Sequence, residues 1–223
     1  MPIHSEGRVL PAPSRADRDI ANASTEHCTA FSVLGAGPGT RMQAESKLEL
    51  DHQKIQFARP DVDDVHEQVL FRFGRQNQHR HVFDMVVTKT DGARIAYTVK
   101  PEIRLRSGRF IDEMQTVAWW VHRKKFANSI RLLTEADIDR VALHNANVNA
   151  AARDRDADAD AAARSVAQEL RGAVTLKELT GRTGLGERGY RALLRLLSNG
   201  ELQPAARERI TPETLIEWKG ARK

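Results

Sequence analysis

Asp84 and Lys100 are the two residues of this chain whose types and surroundings point most directly to chemistry. Both sit in residues 81–100, H-V-F-D-M-V-V-T-K-T-D-G-A-R-I-A-Y-T-V-K, which read as two strands about a tight turn. Asp91-Gly92 makes the turn, because that dipeptide tolerates the positive φ angles of a short hairpin. Alternation with period two puts Val82, Asp84 and Val86 on one face of the first strand. It puts Ala96, Thr98 and Lys100 together on the second. A carboxylate and an ammonium at mid-sheet positions need partners or a metal, since an unpaired buried charge is costly. Two readings fit. One is an ordinary ion pair within a hairpin. In the other, Asp84 helps to hold a hard divalent cation, and Lys100 orients a water or offsets charge developing on a phosphate.

A sheet must carry these residues, and the flanking stretches predict one. Over residues 43–58, Leu48, Ile55 and Ala58 recur at helical spacing beside Glu45, Lys47, Glu49 and Lys54. Ser46 and Glu49 fit a capping box that would start this helix, and Pro60 ends it. After a short Asp-rich turn, Val69, Phe71 and Phe73 alternate with Leu70 and Arg72 as a strand. Pro101 stops the pairing of the hairpin, and residues 104–109 form a basic, glycine-containing loop. Residues 111–126 predict an amphipathic helix with Met114, Val117, Ala118, Val121 and Lys125 on one face. A strand over residues 129–133 follows, then a short helix from Thr134. The order helix, three strands, helix, strand is an α/β core closing near residue 145.

The 223 residues allow one large domain or two small ones, and the net charge of +5 suits nucleic acid without requiring it. Cys28 is the single cysteine, which excludes a disulfide framework and a thiolate metal cluster. No apolar run approaches a membrane span, and no signal core precedes the first domain, so a soluble intracellular protein is expected. Residues 1–40 read as a flexible lead-in, and Gly35-Ala-Gly-Pro-Gly39 lacks the strand, lysine and helix of a phosphate loop. Residues 146–172, mostly Ala, Arg and Asp, show hardly any apolar stripe and predict a solvated helix or linker.

Residues 173–223 carry the pattern of a helix-turn-helix. Thr175 and Glu178 fit a capping box, and Gly184 and Gly186 make a turn. A helix over residues 187–198 turns Tyr190, Leu193, Leu194 and Leu197 inward and Arg188, Arg191 and Arg195 outward. Thr211-Pro212 predicts the cap of a final helix. The arginine face suits a major groove, and a small helical domain docking a protein partner is the alternative.

The pieces E-S-K-L-E-L-D, P-D-V, E-Q-V, V-F-D-M-V-V, D-G-A-R-I-A-Y-T-V-K-P and L-L-T-E-A-D-I arrive in that order between about residues 43 and 145. In this the chain resembles the TnsA family, transposase subunits with a PD-(D/E)xK, restriction-endonuclease-like fold that nick the 5′ ends of a transposon. The resemblance implies a mixed-sheet nuclease core over residues 41–145 and a C-terminal winged-helix-like domain. It implies catalytic Glu49, Asp84 and Lys100, with Glu49, Asp84 and Thr98 at the metal and Gln68 in support before the first strand. The implied cofactor is Mg²⁺, with Mn²⁺ substituting. The implied partners are double-stranded DNA at transposon ends, a transposase and an ATPase regulator, in a bacterial cytoplasm beside the nucleoid, with no membrane.

Thr98 departs from the pattern, since Glu or Gln usually stands there, and Glu102 is a candidate for a displaced carboxylate. Two rival readings follow: a catalytically impaired DNA-binding adaptor of the same complex, and a defence or repair nuclease of the same fold. Glu45 is an alternative ligand one turn before Glu49. Arg104, Arg106, Arg109, Arg123, Lys124 and Lys125 are candidates for phosphate contacts beside the cleft, or plain solvated charge. His79 and His81 read as polar strand-end residues, and Trp119-Trp120 as core with an interface edge.

Overall fold

The computed structural model describes residues 4–5, 8–20 and 29–220 and divides into two compact units. The first lies within residues 1–34 and 40–138, the second within residues 35–39 and 139–223. Cys28 falls outside the described residues.

In the first unit, β1 (His4–Ser5) pairs antiparallel with β2 (Arg8–Val9). The expected lead-in is more ordered than its composition suggests. β3 (Ala30–Leu34) and β4 (Thr40–Ala44) form an antiparallel hairpin. Gly35, Gly37 and Gly39 take φ of 92°, 61° and 71° in its turn, angles that residues with a Cβ adopt at a cost. The glycine cluster is therefore a hairpin turn.

Helix α1 (Lys47–Phe57) follows, then a sheet in the order β5-β6-β7-β8. Its strands are β5 (Val62–Phe73), β6 (His79–Lys89), β7 (Arg94–Val99) and β8 (Ser129–Leu133). The first two pairings are antiparallel and the third parallel, the parallel one reached through helix α2 (Arg109–Arg123). Met114, Val117 and Val121 of α2 pack on Val69, Phe71, Phe83, Val86 and Ala96. Lys125, expected on that helix face, lies past its end, exposed and at φ 52°. The Asp-rich segment before Val65 is strand rather than turn, because residues 62–67 already pair with β6.

Of the expected solvated helix or linker, the second unit shows helix, but packed rather than solvated. Helices α3 (Arg140–Ala151) and α4 (Ala157–Gln168) occupy that stretch. Ala159, Ala163 and Ala167 recur every four residues on one face of α4 and are completely buried. A stripe of methyl groups scores low on hydrophobicity, yet it lets a helix backbone approach its neighbour closely. The neighbours here are α5 (Leu176–Thr183) and α6 (Glu187–Asn199). Leu176, Leu179, Leu193 and Leu196 complete this core.

The expected final helix is instead a strand. β9 (Val174–Thr175), β10 (Leu202–Pro204) and β11 (Leu215–Trp218) form a sheet in the order β10-β11-β9. Leu215 to Trp218 alternates side chains and pairs on both edges, which outweighs the helix-start signal of Thr211-Pro212. Both units are α/β in composition, and among the described residues no helix is long and apolar enough to cross a membrane.

Candidate active site

Glu49 enters the site through the cap of α1. Ser46 is the N-cap, its hydroxyl oxygen accepting the Glu49 N–H at 3.1 Å. The Glu49 carboxylate reaches back, accepting the Glu45 N–H at 2.8 Å and the Ser46 hydroxyl at 3.1 Å. Ser46 thus satisfies one helix-end donor, while the return bond falls on the N–H of Glu45, one residue before the N-cap, and fixes the carboxylate rotamer. Glu45 precedes the cap, so it is not a helical residue one turn before Glu49. The helix turns a polar face inward: Glu49, Asp51, His52, Gln53 and Gln56 are buried, whereas Leu48 and Ile55 are partly exposed. The apolar spacing that predicts the helix therefore marks the wrong face. Gln53 donates to the Gln43 carbonyl at 2.9 Å, and His52 to the Thr134 carbonyl at 2.9 Å.

Asp84 comes from a break in the sheet. Glu67 pairs with Met85 and Val69 with Phe83, leaving Gln68 and Asp84 opposite one another between them. Gln68 takes φ 49°, unusual for a residue with a long side chain. It stands inside β5, not before it. Phe83 and Val86, three residues apart, pack into the same core cluster, so strict alternation fails around Asp84. Pairing of β6 with β7 runs from Thr88↔Arg94 to Met85↔Tyr97 and stops there. Beyond that point the Asp84 carboxylate accepts the Val99 N–H at 2.7 Å, taking the role of a ladder acceptor.

Lys100 follows β7 directly. Its N–H donates to the Leu133 carbonyl at 2.9 Å, which extends the β8 pairing by one residue and holds the lysine at the strand end. Its ammonium lies 5.8 Å from the Phe110 ring centroid. Thr98, almost completely buried, has its hydroxyl 3.2 Å from His81 Nε2.

These placements bring Glu49, Gln68, Asp84 and Lys100 together, with Thr98 linked to them through His81, which feels the Lys100 charge. Gln68 Nε2 donates toward Glu49 Oε2 at 3.5 Å. Burial, and then the charge of Asp84, push Glu49 up to about 7, against its capping hydrogen bonds. Burial also pushes Asp84 up, while Lys100 and the Val99 N–H pull it down. Burial and the nearby Lys100 charge hold His81 down at about 4, so its ring is neutral at pH 7. A buried carboxylate whose affinity for protons is raised by burial and by the neighbouring Asp84 charge makes a site that favours positive charge.

The donor set is of hard oxygens and suits Mg²⁺, which one or two carboxylates with waters and phosphate oxygens commonly hold. Glu49 and Asp84 are the carboxylates such a cation would meet; among the described residues no grouping of three or more His, Cys, Asp and Glu is positioned to hold a metal ion. Glu102, the other carboxylate candidate, is exposed in the short 3-10 turn after Pro101, where its N–H donates to Glu135.

The basic residues are less concentrated than the carboxylates. Arg104, Arg106 and Arg109 are exposed on and after that turn, up to the start of α2. Arg123 lies over the Trp119 ring at 5.3 Å, and Lys124 holds the turn after β5 by donating to the Arg72 carbonyl at 3.1 Å and to Asn77. In the second unit the arginine face of α6 is turned onto its own neighbours. Arg188 forms a two-pronged pair with Asp156 at 2.7 and 2.9 Å. Arg195 binds Asp160 at 2.7 Å and the Ala152 and Asp154 carbonyls, and Arg191 donates to the Ala151 carbonyl at 3.2 Å. These contacts brace the start of α4, a role that spacing along α6 alone does not reveal.

Two residues of the site escape sequence reasoning. His81 has one signal, its place three residues before Asp84. Arg18 has none, since it arrives from a stretch that composition marks as irregular; it donates to Glu45 at 2.5 Å and to Gln68 Oε1 at 2.8 Å. Compared with known proteins, the chain matches no family model and no curated protein.

Proposed function

We propose that this chain is a metal-dependent DNA endonuclease of the TnsA kind, nicking the 5′ ends of a transposon beside a partner transposase and an ATPase regulator. The observation that carries the reading is the buried Glu49–Asp84 pair set against Lys100 at the splayed end of β6 and β7. The order helix, three strands, helix, strand around that pair supports a restriction-endonuclease-like core. In the second unit, the order from α4 onward, helix, strand, helix, helix, strand, strand, supports a winged-helix domain.

Glu49 and Asp84 would hold Mg²⁺, with the Thr98 hydroxyl beside them. The cation, when bound, polarises a phosphodiester and acidifies a water. Lys100 contributes a positive charge near Asp84, suited to orienting the attacking water and to offsetting charge on the phosphate. His81, neutral and in contact with Thr98, helps to fix that hydroxyl. The exposed Arg104, Arg106 and Arg109 supply sequence-independent contacts to the DNA backbone. With Arg188, Arg191 and Arg195 engaged within their own unit, that unit is better suited to a protein partner than to groove reading by α6.

One observation favours a second reading, a non-catalytic adaptor of the same complex. Thr98 stands where a third carboxylate would complete the ligand set, and its hydroxyl is already engaged by His81. Nicking of an end-containing duplex with Mn²⁺ and the partner subunits separates the two. The enzyme reading expects cleavage that Lys100→Ala abolishes while DNA binding persists. Intact duplex with the wild type, and no Mn²⁺ binding lost in Asp84→Ala by calorimetry, would leave the adaptor.

A further inference from the structure

The segment at residues 10–20 is not a loose leader but a strap laid along the edge strand of the sheet. Ser14 donates to Glu67 at 2.5 Å, and Arg15 to Asp64 at 2.5 Å and to the Val65 carbonyl at 3.0 Å. The Asp17 N–H donates to the Gln68 carbonyl at 3.1 Å, while the Asp17 carboxylate accepts the Leu70 N–H at 2.9 Å. These bonds occupy edge groups of β5 and bring the strap beside the distorted residue Gln68. The next side chain, Arg18, is thereby aimed at the carboxylate cluster.

We propose that Arg18 is an active-site residue whose guanidinium binds the phosphate group on which the Glu49–Asp84 pair acts. Three features support this. The Gln68 amide is bound at both ends, its oxygen accepting from Arg18 and its nitrogen donating toward Glu49, so one side chain orients the cation relative to the carboxylate. The pairing of Arg18 with Glu45 is exposed, at 46% and 42% of the two side chains, and such surface pairs contribute little to stability. The strap is already held by Ser14, Arg15 and Asp17, so its attachment does not depend on Arg18. A planar guanidinium, half in solvent beside two buried carboxylates, matches a phosphate with two parallel hydrogen bonds. It is also a preorganised positive charge where a phosphodiester gains negative charge.

This inference rests on the nuclease reading for its kinetic arm but not for its binding arm. The probe is a fluorescent end-containing duplex, titrated by anisotropy in EDTA across a salt series. Cleavage is then followed with Mn²⁺ and the partner subunits. Arg18→Gln is expected to reduce the salt slope of binding by about one, as for one lost phosphate contact. It is expected to lower kcat about 100-fold, the scale of removing one transition-state donor, with KM changed far less. Arg18→Lys should restore the salt slope and only part of the rate. Arg15→Gln, which removes one anchor while Ser14 and Asp17 still hold the strap in place, should leave both unchanged. An unchanged slope and rate in Arg18→Gln overturns the proposal. So do equal losses in Arg15→Gln with a matching fall in Tm, which would make Arg18 a mere strap anchor. A duplex that is never cut, together with the lost slope, leaves phosphate binding by Arg18 standing and removes the nuclease reading instead.

Discussion

Glu49→Gln separates electrostatic cost from packing at the candidate site. Glutamine keeps the shape of the side chain and an oxygen for the Glu45 N–H, and it removes the charge. In the folded chain Glu49 is buried and pushed up to about 7 from an ordinary 4.5, chiefly by burial and then by Asp84. Holding that carboxylate ionised in the fold therefore costs about 3 kcal/mol relative to the unfolded chain. The folded state binds the proton more tightly, so unfolding releases it and stability falls as pH rises from 4.5 to about 7. Below that window both states are protonated and the term vanishes; above it the cost is complete. Urea unfolding in EDTA should show wild type losing about 3 kcal/mol more than Glu49→Gln across the window. The variant should be the more stable protein at pH 8, less whatever the cap loses. Mn²⁺ should return the lost stability to wild type and do little for the variant, because a ligand that binds only the folded state stabilises it. Parallel stability curves for the two proteins in EDTA would refute the picture of a strained carboxylate pair.

Thr98→Glu introduces a third carboxylate at a position only 1% exposed, so metal-free stability should fall by about 3 kcal/mol while Mn²⁺ affinity rises. Denaturation and calorimetry on the same preparation measure both effects. Ala163→Leu should destabilise the second unit by about 1–3 kcal/mol through overpacking against its helical neighbours. The exposed Ala161→Leu should change the melting profile very little, and equal effects would return residues 146–172 to the status of a linker. Arg195→Ala removes a largely buried ion pair with Asp160 and should cost roughly 2–3 kcal/mol, far more than Arg188→Ala at its exposed pair, as read by thermal unfolding.

Local chemistry makes much of this protein legible in its sequence. Ser46 and Glu49 mark the helix start, Asp91-Gly92 the hairpin turn, and residues 129–133 the last strand of the sheet, and each forms where its pattern predicts. Capping, turn chemistry and period-two alternation act over a few residues, so the sequence contains them whole. Errors concentrate where the partner is distant. The alanine stripe of α4 reads as solvated because methyl groups carry little hydrophobicity, although they are what close packing against other helices requires. The partners of the α6 arginines are likewise invisible along that helix, since Asp156 and Asp160 come from the cap and first turn of α4.

The same division runs through the site. Glu49, Asp84 and Lys100 stand out in the sequence because charged residues amid strand and cap patterns ask for an explanation. That Asp84 leaves the alternation and takes the Val99 N–H was decided by the splaying of β6 from β7 and the distortion at Gln68. That Arg18 belongs beside it was decided by a strap fifty residues away from β5 in the chain. Residue identity by itself determined which groups carry charge and where short elements begin and end. Only the tertiary structure decided which charges are buried together, because burial and proximity depend on chain segments that no local pattern connects.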